Sequence, residues 1–275
     1  MEARAGDSRR ARFPGSVRRP PRALVLLAAL AASFFAVPLA ALAWRAPWAS
    51  LPEVLTTEVV GSALRISLVS SLAASALSAF LGLPLAWVLA RVPFPGRSVL
   101  RALVTLPLVL PPVVGGVALL LALGRLGLVG RALESFFGVT LFGTLPGVIV
   151  AETFVAMPFL VLTVEGALKG LDPRYEDAAA TLGASRGLVF WKITLPLAAP
   201  SVAAGAVLAW ARALGEFGAT ITFAGNLPGE TQTMPIAVYT ALLRDVDAAI
   251  VLSLVLVAVS LLVLVTLRER WAPQA

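Results

Sequence analysis

Glu152, Arg212 and Glu216 are ionisable side chains set inside long apolar runs of a 275-residue chain. A charge at membrane depth faces a bundle interior or an aqueous path, so these three are the first candidates for chemistry. Arg212 and Glu216 lie four residues apart, on one face of a helix. In one reading Arg212 offers an attractive charge to a dianion while Glu216 partly balances it and helps to close an outer gate. In the other the two are a structural pair that holds neighbouring helices. Glu152 has the same two readings, a group lining a conduit or a bond to a neighbouring helix.

Catalysis by the usual side chains has little to work with. The chain has no His, the commonest metal ligand and general base, and no Cys, which excludes disulfides and thiolate chemistry. An intramembrane enzyme therefore fails on chemistry, because neither H-E-x-x-H nor a Ser/His arrangement is available. No G-x-x-x-x-G-K-[ST] occurs, so the chain has no phosphate-cradling loop of its own. Catalytic, metal and cofactor sites are accordingly not expected in it.

The elements that position the three charges are membrane spans. Mean hydropathy is +0.92, with 59% hydrophobic and 13% charged residues, far from the roughly 25% charged of a soluble domain. Apolar runs near or above the ~20 residues that cross ~30 Å of hydrocarbon predict six helices, over Ala23–Trp44, Ile66–Ala90, Ala102–Gly124, Gly143–Val164, Leu197–Phe217 and Ala248–Leu267. Continuous rather than alternating runs favour helices over a barrel. The first run is longer than a signal-peptide core, which favours a retained helix over a cleaved signal, and Ser8-Arg9-Arg10 reads as a basic tail before it reads as a twin-arginine signal.

The net charge of +7 collects in particular places. Arg4, Arg9, Arg10, Arg12, Arg18, Arg19 and Arg22 precede the first span, which suits a membrane orientation signal better than nucleic acid. With that end inside, inner segments hold sixteen of the 22 basic residues, and both termini are expected in the cytoplasm. In the second span Ser71, Ser75 and Ala79, with Ser78 and Gly82 beside them, repeat small residues at four-residue spacing and predict close helix packing. Prolines 84, 107, 111, 112, 146 and 158 predict bends of the kind a conduit tolerates.

Between the fourth and fifth spans lies a polar segment. LDPRYEDAAATLG, Leu171 to Gly183, reads as a short helix over 173–182 with Asp172 at its N-cap, Pro173 at its first position and Gly183 just past its end. Tyr175, Ala178, Ala179 and Leu182 fall on one small, mostly alanine face. So short a helix is marginal alone, and its face admits close approach of a partner. Ser185 offers a second N-cap, for a helix from Arg186 to Leu195 that ends at Pro196.

The series Asp177-Ala178-Ala179, three residues, Gly183, nine residues, Ile193-Thr194-Leu195-Pro196 resembles the EAA signature of ABC importer permeases, departing from it only in Asp177 for the usual Glu. The resemblance implies an all-α, polytopic membrane protein with the six transmembrane helices of the type I importer permease fold. It implies a basic cytoplasmic segment over 1–22 and a permease domain over 23–270 with a coupling loop at 165–196. It also implies that Glu176, Asp177, Ala178, Ala179, Gly183, Ile193, Leu195 and Pro196 couple the chain to a separate ATPase subunit, which carries the ATP and Mg. Asp177 keeps the carboxylate and shortens its reach by one methylene.

Ala211–Tyr239, together with Leu106–Gly124, is similar to permeases for molybdate and tungstate, with those for sulfate and thiosulfate next. Under that resemblance two copies of the chain, two ABC ATPase subunits and an extracytoplasmic oxyanion-binding protein form an importer in the cell membrane. NLPGETQT, Asn226 to Thr233, is then the outer loop that meets the binding protein. The alternatives that remain open are a sulfate or thiosulfate permease and a passive channel or scaffold.

Overall fold

A computed structural model describes residues 21–271. Arg4, Arg9, Arg10, Arg12, Arg18 and Arg19, and with them nearly all of the expected basic segment, lie outside the described residues. The described residues are helical, without a strand, and fall into two units divided after Arg45. The first unit is a single helix, α1 (Arg22–Trp44), with no buried side chain.

The second unit opens with a short α2 (Leu51–Leu55) and the long α3 (Glu58–Arg91). At 34 residues α3 measures about 51 Å, well beyond a ~30 Å hydrocarbon core, so turns that include its last residue, Arg91, reach past the apolar layer. Next come α4 (Arg97–Val109), α5 (Pro112–Leu123), α6 (Gly130–Phe137) and the second long helix, α7 (Leu145–Gly170). The polar segment folds as α8 (Arg174–Thr181) and α9 (Arg186–Val189), followed by one π-helical turn over Phe190–Thr194 and by α10 (Leu195–Leu214). Two short helices, α11 (Gly218–Phe223) and α12 (Met234–Leu242), and the long α13 (Val246–Trp271) complete the fold.

α3, α7 and α10 form the centre. A Cβ added at Gly82 of α3 would lie 3.0 Å from Leu160 and 3.1 Å from Val161, and one at Gly205 of α10 would lie 3.3 Å from the Leu160 backbone. The Ser75 hydroxyl donates to the Ala206 carbonyl at 2.7 Å. The predicted small-residue row is thus the surface on which three backbones approach. Ser70 sits level with Glu152 and Gly82 level with Leu160, so α3 and α7 run parallel and their C-terminal ends meet at one end of the bundle.

Among the described residues five helices are long and apolar enough to cross a membrane, and they match five of the six expected spans. The remaining one, Ala102–Gly124, is not a single helix. Leu110 and Pro111 are extended, with ψ near 131° at both, and separate α4 from α5. Each precedes a proline, whose ring disfavours helical geometry in the residue before it, and neither Pro111 nor Pro112 has an N–H to continue the ladder. The freed α5 packs on α11 at very short range: a Cβ at Gly116 would stand 2.7 Å from Thr222 Cβ and 2.8 Å from the Ala219 carbonyl.

The expected stop at Pro196 is also corrected, since helix runs unbroken from Arg186 to Leu214. The π turn is the reason. Leu195 N–H reaches back five residues to the Phe190 carbonyl, and the next residue, being proline, requires no acceptor in the widened turn.

Gly116→Ala should destabilise the protein by about 1–3 kcal/mol, because its new methyl meets backbone that has nowhere to move. Gly61, also on a helix but with nothing within 4 Å of an added Cβ, is the control. Thermal unfolding in detergent should show a lowered Tm for Gly116→Ala and none for Gly61→Ala.

Candidate functional site

The residues singled out in the sequence fall into two groups at opposite ends of the bundle. At the end where α3 and α7 terminate, Asp172 accepts a hydrogen bond from the Arg174 N–H (3.0 Å) and starts α8, and Gly183, at φ +86°, stops it. Ser185 accepts from the Leu188 N–H at 3.4 Å and starts α9. These are the caps expected from the sequence, with α8 one residue shorter at each end.

α8 has two unlike sides. Tyr175 is 59% exposed and Leu182 89% exposed, Asp177 and Ala178 are exposed, and Ala179 is half-buried. Apart from the half-buried Ala179, this apolar face has no cover among the described residues. Glu176 lies off this face, in the cleft that Asp177 also lines: its Oε1 accepts from Arg91 Nη2 of α3 at 3.1 Å and from the Thr194 hydroxyl of the π turn at 3.0 Å. Of the remaining expected coupling positions, Ile193 and Leu195 are half-buried in and after the π turn, while Gly183 and Pro196 are exposed. A cleft of about 390 Å³ separates α8 from the end of α3, with Trp87, Arg91, Asp177, Arg186 and Phe190 in its walls.

Further charges tie the same end together, and, apart from the four-residue spacing of Glu165 and Lys169, spacing along the sequence did not reveal them. Arg101 of α4 donates from Nε to Glu165 of α7 at 3.0 Å, and Lys169 Nζ lies 2.8 Å from the same oxygen. Arg97 and Arg101 both donate to the Leu89 carbonyl in the last turns of α3. Cations at a helix C-terminus satisfy otherwise unpaired carbonyls and complement the helix dipole. The signal in the sequence was only that these basic residues fall in segments flanking spans.

At the opposite end Arg212 and Glu216 do meet, with Arg212 Nη2 at 2.5 Å from Glu216 Oε2. Glu216 Oε1 accepts the Ala219 N–H at 2.8 Å, so one carboxylate both pairs the arginine and caps α11. Glu216 is 1% exposed, whereas the Arg212 side chain keeps 27%. Glu152 joins neither of them: it accepts from the Ser70 hydroxyl of α3 at 2.8 Å, and its other oxygen has no partner among the described residues. The outer loop divides in two. Asn226–Glu230 is exposed, while Thr231–Thr233 turn into the bundle, where the Met234 N–H donates to the Ser67 hydroxyl at 2.7 Å.

Comparison with known proteins places this geometry among transport proteins. Residues 82–272 match the family model described as binding-protein-dependent transport system inner membrane component. The molybdenum transport system permease protein ModB of Mycobacterium bovis is 48% identical over 252 residues, covering 91% of this chain and 94% of that protein. The sulfate transport system permease protein CysT of Escherichia coli is 38% identical, covering 90% and 88%. Among solved structures, a bacterial ABC transporter involved in the import of the acidic polysaccharide alginate superposes with TM-score 0.70 at 20% identity over 90% of this chain and 95% of that one, a likeness of fold.

The two bonds of Glu216 predict a graded response. Glu216→Ala strands a half-buried guanidinium and uncaps α11, and should cost roughly 1.5–3 kcal/mol. Glu216→Gln keeps an oxygen for the Ala219 N–H and should lower Tm by distinctly less. Equal losses in the two variants would assign the whole effect to the charge pair.

Proposed function

This chain belongs to the binding-protein-dependent transport system inner membrane components, and from that membership we propose that it is the transmembrane permease subunit of an ATP-driven ABC importer for a tetrahedral oxyanion, with molybdate its preferred solute. The observation that carries the reading is 48% identity to a molybdenum permease along nine-tenths of the chain, against 38% to a sulfate permease. Tungstate shares the shape and charge of molybdate and is a solute of the same system. The Arg212 guanidinium, held by Glu216 and still partly exposed, is the charge best placed to attract a dianion. Glu216 serves to hold it and to cap α11.

The polar segment supports the coupling role. α8 offers an uncovered face of small and apolar residues, Ala178, Ala179 and Leu182, with Asp177 beside it. A separate ATPase subunit docks there, and ATP with Mg is bound and hydrolysed on that subunit. Closure of two such subunits pushes α8, and the spans rock between inward and outward openings around the solute. Two copies of the chain enclose the path, and a binding protein delivers solute to the exposed half of the outer loop, Asn226–Glu230. Arg91, Arg97, Arg101, Lys169, Arg174, Arg186 and Lys192 belong to the α8 end, which under the positive-inside rule puts that end and both termini in the cytoplasm of an inner membrane.

Membrane vesicles holding the importer should take up molybdate only with ATP. Unlabelled tungstate should compete for that uptake and sulfate should not; competition by sulfate alone would replace molybdate with sulfate as the solute.

Asp177→Arg puts a bulky opposite charge beside the docking face. ATP-dependent uptake should fall at least tenfold, the loss expected when about 1.4 kcal/mol of coupling is removed, while the amount of permease in the membrane stays unchanged. Normal uptake would remove Asp177 from the coupling surface.

A further inference from the structure

Glu176 and its neighbour Asp177 both line the cleft between α8 and the end of α3, but Asp177 is exposed while Glu176 is half-buried and bonded. Its Oε1 is shared by two donors from different elements, Arg91 at the end of α3 and Thr194 in the π turn. Thr194 is 1% exposed, and the Arg91 and Glu176 side chains keep only 17% and 24% of their surface. The pair is therefore held in partly dry surroundings, where an ion pair is worth more than on an open surface. Beyond Arg91, the last carbonyls of α3 are held by Arg97 and Arg101 of α4, and Arg101 continues to Glu165 of α7. A chain of direct contacts thus leads from α8 through α3 and α4 to α7, alongside the covalent route through the π turn to α10.

We propose that Glu176 is a positioning residue that fastens α8 to the inner end of α3 and to the π turn, so that a push on α8 reaches α3 and α10 together, and that it is not part of the surface offered to the ATPase. The proposal rests on the reading of α8 as the coupling helix. Its chemistry is simple: one carboxylate oxygen bridges a guanidinium and a hydroxyl, and each donor belongs to a helix that has to move. Without the bridge, α8 keeps its packing on α9 and the π turn but loses its bond to α3, and its displacement is taken up in the segment 182–189 and the widened turn before α10.

The test is a charge exchange in the full chain. Glu176→Arg, Arg91→Glu and the double variant are compared by three measurements: hydrogen exchange of the amides of residues 174–181 in the permease alone, ATPase subunit retained per permease, and ATP hydrolysed per molybdate taken up in proteoliposomes with the binding protein. Each single variant should raise exchange in α8 and the ATP used per molybdate by about fivefold or more while retaining the ATPase, and the double variant should return both to within about twofold. Glu176→Gln and Thr194→Val, which change less, should give smaller shifts in the same direction and keep the question answerable if a charge-reversed protein folds poorly. Loss of the ATPase from Glu176→Arg with unchanged exchange in α8, or a double variant no better than the singles, overturns the proposal. If the wild type shows no ATP-dependent uptake, the transport reading falls, while hydrogen exchange still decides whether Glu176 fastens α8.

Discussion

Direct approach of the α3, α7 and α10 backbones is the contact on which the rest of the structure depends. Lipid tails are as apolar as leucine, so burying leucine between helices brings little gain in a membrane. Association rests on close packing and hydrogen bonds between helices. Gly82 and Gly205 leave room for Leu160 between them, and Ser75 and Ser70 reach across to Ala206 and Glu152. Once α3 and α7 are parallel and in this register, Arg91 and Glu165 come out at the same level, and the ion pairs below the apolar layer follow. A larger residue at position 82 or 205 would separate these helices and, with them, the charges at their ends.

Much of this could be read from residue types because hydropathy and cap chemistry are local. Five spans follow from apolar runs, and the bounds of α8 follow from Asp172 and Gly183, whose effects reach only a few residues along the chain. The errors came where two local rules competed. An apolar run argued for one helix over Ala102–Gly124, but the Pro111-Pro112 pair divided it; Pro196 argued for a stop, but a π turn absorbed it. Apart from pairs four residues apart on one helix, such as Arg212 and Glu216, the partners of the charged residues were not legible. Arg91 and Glu176 are 85 positions apart, as are many unrelated pairs, and only the register of α3 on α7 and the fold of the segment after α7 bring them together. Ser70 shows the same limit, since a serine in a row of small residues announces close packing but does not name Glu152 as the acceptor.

The two ends of the bundle use charge differently. At the Arg212 end, the arginine, its carboxylate and the amide that the carboxylate caps all lie within residues 212–219. Glu216 makes its bonds inside this unit, the Arg212 guanidinium stays partly exposed, and the unit can travel with its helix without breaking these bonds. At the α8 end, beside the Lys169–Glu165 pair within α7, most bonds cross elements: Arg91 to Glu176, Arg101 to Glu165, Arg97 to the carbonyls of α3. Cross-element bonds of this kind tie α3, α4, α7 and α8 to one another at that end, whereas the Arg212 unit is tied mainly within its own segment.

An α-helical ladder from Arg186 to Leu214 would break at Pro196, because proline lacks the donor and its ring meets the carbonyl four residues earlier. Insertion of one wide turn moves the strain to Phe190–Thr194, a place where Thr194 is also tied to Glu176. Single π turns inside α-helices recur at functional positions, and the one in this 29-residue helix coincides with its attachment to α8. Glu176 braces that turn, because the oxygen that accepts from Thr194 also accepts from Arg91, so this irregular point of the helix is tied both to α8 and to the end of α3.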